Sequence, residues 1–106
     1  MLSNTRIKAL PLEERDAVRL AMEYWHACWD LESPTLFGID FEEFDQVLHQ
    51  WPDIKMKHEE LTTLAVTASL RELLLGASAQ PRSAIHEIIG IPYSHAVSLL
   101  EQLNKT

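Results

Sequence analysis

Apolar residues recur along the chain at spacings of three and four, and neither a sustained two-residue alternation nor an Asn-Gly or Asp-Gly hairpin signal interrupts them. The pattern predicts an all-α fold, a compact bundle of about five helices forming a single domain over residues 1–106. The first predicted helix runs from Pro11 to about Leu31, with Glu13, Glu14 and Asp16 facing the positive end of its dipole. Asp16, Arg19, Glu23, His26 and Asp30 form one polar stripe, while Val18, Ala21, Met22, Trp25, Cys28 and Trp29 take the rest of the circumference. That apolar arc is broader than one core seam requires, so part of it is expected to meet a second copy in a homodimer. Cys28, set between two tryptophans, reads as a buried structural cysteine rather than a reactive thiol.

Ser33-Pro34 stops this helix, and Gly38 lies in the connection that follows. Asp40 with Glu43 three residues later is an acidic capping box, and Ile39 and Phe44 have the spacing of a hydrophobic staple. Phe41, Phe44, Leu48 and Trp51 then fall on one face, with Glu42, Asp45 and His49 on the other. Pro52 closes this second helix and Asp53 is placed to cap the next. That third helix reaches Leu75, is apolar over much of its circumference, and is expected to be the central one. Its small residues Ala65, Ala68 and Ser69 invite close approach by a neighbour, and Gly76 is its predicted stop. Residues 81–89 and 92–103 form a last short pair around Gly90.

Charge changes the picture more than composition does. The 106 residues are 46% hydrophobic and 24% charged, which suits one soluble core and leaves no room for a second. The net charge of -7 is unevenly spread: residues 10–60 hold 13 acids against four bases, and residues 61–106 hold three of each. Such a balance gives no support for a surface that tracks nucleic-acid phosphates. Six acids and no base lie between positions 30 and 45, within the stretch that also carries seven of the eight aromatic residues. Aromatic anchors inside an acidic rim suit a protein-binding surface, so Asp30, Glu32, Phe37, Asp40, Glu42 and Asp45 are expected to contact a basic partner protein. In charge and size the chain looks like the small acidic inhibitors of the immunity-protein type. One cysteine cannot form an internal disulfide, residues 1–12 lack the apolar run of a secretion signal, and the uncharged stretch 61–70 is too short to span a bilayer. A cytoplasmic protein with no membrane contact is the resulting expectation.

The motifs of common chemistry are missing. No glycine belongs to a phosphate-cradling pattern, and neither a nucleophile elbow nor an H-E-x-x-H pair occurs, so no cofactor and no enzymatic activity are expected. One metal alternative stands beside this. Glu23-Tyr24-Trp25-His26 is a Glu-x-x-His unit of the kind used in dimetal helical bundles, and with Asp30, Glu42, Asp45 and His49 it could supply six ligands if two polar helix faces met. Residues 83–100 (SAIHEIIGIPYSHAVSLL) carry a second alternative. Ile85 and Ile89 before the turn, Gly90 and Ile91 in it, and Ala96, Leu99 and Leu100 after it resemble the helix-turn-helix of bacterial DNA-binding regulators. The resemblance implies that Tyr93, Ser94, His95 and Ser98 read base edges. It departs from that family at His86, where a small residue normally packs, and in having no Arg or Lys in the second helix before Lys105.

Overall fold

Short polar side chains and glycines divide the helical pattern into more pieces than the periodicity alone indicates. The computed structural model describes residues 2–55, 59–76 and 79–105, in which seven helices and no strand occur. These are α1 (Asn4–Ala9), α2 (Leu12–Ala27), α3 (Ser33–Phe37), α4 (Phe41–Gln50), α5 (Glu59–Leu74), α6 (Arg82–Ile89) and α7 (Tyr93–Asn104). The all-α expectation holds, with about seven helices in place of about five. The two additions, α1 and α3, span six and five residues, too short for a 3.6-residue period to show.

The first long helix ends earlier than expected, at Ala27 instead of near Leu31. Asp30 explains the difference. Its Oδ1 accepts from the Glu32 and Ser33 amides at 2.9 and 3.1 Å, a local turn that competes with helical pairing. Pro34 then lies in the first turn of α3, where its missing N–H costs nothing, and so opens a helix as well as closing one. Gly38 terminates α3 at φ +75, a left-handed conformation that L side chains resist. The start of α4 is as expected. Asp40 Oδ1 accepts from the Glu43 amide at 2.8 Å, and Glu43 Oε1 accepts from the Asp40 amide at 3.0 Å. Asp53 does not cap the next helix within the described residues: its amide donates to the Gln50 carbonyl at 2.8 Å in a turn, and α5 is described from Glu59, residues 56–58 lying outside the description.

The centre belongs to α5, as its composition predicts. It packs against α2, α3, α4 and α7, and α2 in turn packs against α4 and α6. Ala65, Ala68 and Ser69 are buried, and their small size lets Trp25 of α2 reach the α5 backbone. The Trp25 indole donates to the Ser69 carbonyl at 2.9 Å, which satisfies a polar atom that would otherwise be stranded in the core. Of the broad arc of α2, Val18, Ala21, Met22 and Trp25 are buried within the one chain, Trp29 is half-buried and Cys28 is exposed. Leu64 of α5, and Leu75 just past its end, are exposed.

The ends are sewn in by polar contacts. Asn4 donates through Nδ2 to the Ile54 carbonyl at 2.6 Å and accepts from the Ile54 amide at 3.0 Å, and the Leu2 amide donates to Thr63 Oγ1 at 2.9 Å. The radius of gyration, 12.5 Å, matches the ~13 Å of a compact chain of this length.

Candidate functional site

A cluster of edge-to-face and tilted rings fills the space between α2 and α4. Phe44 lies in an edge-to-face contact with Phe37 at 5.4 Å and a tilted one with Trp29 at 4.9 Å, and Phe37 meets Trp25 at 5.8 Å. Phe37 is 1% exposed, which corrects its assignment to a partner surface: its ring is core, and it fixes α3 against α2 and α4. Phe41, expected to be buried with Phe44, is instead 40% exposed. Being the first residue of α4, it lies at the rim of the cluster, its ring 5.6 Å from Trp29 and 4.8 Å from the His26 imidazole.

The histidine contact overturns a second expectation. His26 and Asp45 do not face away from the aromatics: His26 Nε2 lies 2.7 Å from Asp45 Oδ1, and the ring sits against Phe41 and Phe44. His49 Nδ1 lies 3.2 Å from the same carboxylate oxygen and 2.9 Å from the Asp45 carbonyl. Asp45 Oδ1 therefore already has two imidazole partners inside the molecule. Three of the six metal-ligand candidates meet here as hydrogen-bond partners, and the others do not join them. Glu23 lies 3.8 Å from Arg19, Asp30 serves its own turn, and the Glu42 carboxylate has no polar partner among the described residues. Among the described residues, no three His, Cys, Asp or Glu side chains are arranged to hold a metal ion.

The remaining acids of the segment are open to solvent. Asp30, Glu32, Asp40 and Glu42 are exposed, and no described Lys, Arg or His pairs with any of them. Asp30 and Asp40 spend acceptor capacity on turn and cap amides, whereas the carboxylates of Glu32 and Glu42 have no partner among the described residues. Between these acids lie apolar side chains that the sequence reading did not single out. Leu31, at the head of α3, is 98% exposed, and Leu36 of α3 is 40% exposed. Leu64 of α5 borders them: its methyls lie 3.8 and 3.9 Å from where a Cβ on Gly38 would stand. Arg71 of α5 holds this corner together, donating from Nη2 to the Leu36 carbonyl at 2.9 Å and from Nε to buried Glu72 at 2.9 Å. The available signal for Leu31 was its setting between Asp30 and Glu32, just before a Ser-Pro break.

Cys28 is exposed, contrary to expectation, because α2 ends one residue before it. Burial pushes the phenol of Tyr24 above its ordinary range, and the neighbouring Cys28 adds to the effect. Gln80 Nε2 donates to that phenolic oxygen at 2.7 Å.

The C-terminal pair has its candidate base-reading residues partly committed. His95 Nε2 lies 3.0 Å from Glu14 Oε2 of α2, and Arg82 sits 4.6 Å over the half-buried Tyr93 ring; Ser94 and Ser98 are exposed. No described helix is long and apolar enough to cross a membrane. No family model, curated protein or solved structure matches this chain.

Proposed function

We propose that this protein is a non-enzymatic, cytoplasmic binding protein whose α3–α4 face engages a basic partner protein. The observation that carries the reading is the coincidence, over residues 30–42, of exposed apolar side chains with carboxylates that no described cation neutralises. Unpaired like charges on one face repel one another, and a cationic partner relieves that repulsion while steering toward it. The site residues of this reading are Asp30, Glu32, Asp40 and Glu42; Phe37 supports them from the core, and Asp45 positions His26 behind Phe41.

The test compares capture by wild-type protein and by the Glu32→Lys/Glu42→Lys variant from an extract of the host at low salt. Neither side chain makes a capping or other hydrogen bond among the described residues, and circular dichroism of the variant checks that the lysines at the heads of α3 and α4 leave the helices intact. A basic protein retained by the wild type and depleted at least tenfold on the variant supports the reading. Equal retention, or retention of acidic proteins only, contradicts it.

A further inference from the structure

Charge alone draws a partner in without holding it, since exposed ion pairs contribute little once formed. The apolar side chains on this face supply what the carboxylates lack. Leu31, Leu36 and Phe41 come from consecutive segments of the chain, and Leu64 comes from α5. Among the described residues they are four of the six large apolar residues that stand exposed, and the other two, Leu12 and Leu75, lie outside these segments. Two contacts bring Leu36 and Leu64 to one corner. Arg71 ties the α3 backbone to α5 at the Leu36 carbonyl, and the missing side chain at Gly38 leaves bare backbone beside the Leu64 methyls. A substituent at Gly38 would cover that backbone. Phe41 is backed by Trp29 and by the His26 ring, which Asp45 holds in turn, so its exposed edge is rigidly presented.

We propose that Leu31, Leu36, Phe41 and Leu64 form an apolar seat, rimmed by Asp30, Glu32, Asp40 and Glu42, for an amphipathic cationic segment of a partner protein. The inference rests on the basic-partner reading and adds the means of anchoring. The occupant presents Leu- or Ile-like side chains to the seat and Lys or Arg to the rim, the complement of an apolar patch enclosed by carboxylates. A lipid surface is disfavoured as occupant by the same rim, because anionic headgroups would meet four carboxylates with no described cation paired to them. A second copy of this chain is disfavoured likewise, since a two-fold contact at this face would set the rim against itself.

The experiment measures fluorescence anisotropy with three labelled peptides of about 18 residues, enough for about five helical turns: one of Lys and Leu in amphipathic order, one of Lys and Ser with the same charge, and one of Glu and Leu. The Lys/Leu peptide is expected to bind the wild type at least tenfold more tightly than the Lys/Ser peptide. Leu31→Ser/Leu36→Ser is expected to remove most of that preference while leaving Lys/Ser binding and its salt dependence in place. Circular dichroism of the variant should match the wild type, because Leu31 is almost wholly exposed and Leu36 partly so. Equal affinity for the two Lys peptides, or a preference that survives the double substitution, overturns the seat while leaving the electrostatic reading standing. Binding of the Glu/Leu peptide as tightly as the Lys/Leu peptide overturns both. Self-association by sedimentation that Leu31→Ser abolishes would hand the face to a second copy and overturn the proposal.

Discussion

The face around α3 and α4 and the helix pair α6–α7 were both legible as interfaces, and they differ in what remains unsatisfied. In the C-terminal pair Ile85, Ile89, Ile91, Ala96, Leu99, Leu100 and Leu103 are buried, and His95 is turned back onto Glu14 of α2. Around α3 the reverse holds: leucines and a phenylalanine stand in solvent beside carboxylates with no described cation. A helix pair whose large apolar side chains are buried inside the chain is explained by packing, even though Glu87 and Glu101 on its surface have no partner among the described residues. A surface that leaves both kinds of group without partners points outward.

The contrast breaks most severely at the ring cluster beneath the acidic face. Phe44→Ala is expected to lower unfolding free energy by about 3–5 kcal/mol in urea denaturation, because a fully buried ring leaves a cavity that its neighbours cannot fill. Leu31→Ser, in the segment just before α3, is expected to stay within ~0.5 kcal/mol of the wild type, the usual range for surface sites. Similar losses in the two variants would contradict the division of this region into core and seat. Trp25→Phe comes next. It removes the indole bond to the Ser69 carbonyl and leaves part of the ring's space unfilled, and about 1–3 kcal/mol is the expected loss by the same measurement.

Much of this division could be read from the sequence, and the parts that could not have identifiable causes. Asp40, Glu43 and the α4 start followed from local chemistry, since a cap acts on amides within three residues and needs no tertiary partner. The role of α5 followed from apolar residues on more than one side. Phe37 and Phe41 were the harder pair: four positions apart in sequence and chemically identical, one is core and the other rim. Their fates depend on where Asp30 stops one helix and Gly38 turns the chain, and periodicity does not register either event. The His26–Asp45 contact was hidden for a related reason. Each residue sits on a polar stripe of its own helix, and only the packing of α2 on α4 brings the stripes together.

Smaller effects refine the comparison. Asp40→Ala is expected to cost about 1 kcal/mol through loss of the cap at the head of α4, with Glu43→Ala costing less. At alkaline pH Tyr24 contributes a further small term. Its folded pKa is raised by burial, so the unfolded chain releases the phenolic proton first, and stability falls as pH rises past the ordinary Tyr value near ~10. Tyr24→Phe is expected to flatten that part of the stability profile, read as denaturation midpoints at successive pH values. For α6–α7, a labelled mixture of genomic DNA fragments is expected to give no polarisation change at low salt. A shift released by added salt would reopen that surface.

The central claim is that exposed carboxylates and apolar side chains around α3 act together on a cationic partner. The most direct measurement is the ionic-strength dependence of Lys/Leu peptide affinity for the wild type, Glu32→Lys/Glu42→Lys and Leu31→Ser/Leu36→Ser. The account predicts a steep fall with salt for the wild type, a shallow one for the Lys variant, and for the Ser variant the wild-type slope displaced to weaker binding. Three superimposable lines would contradict it.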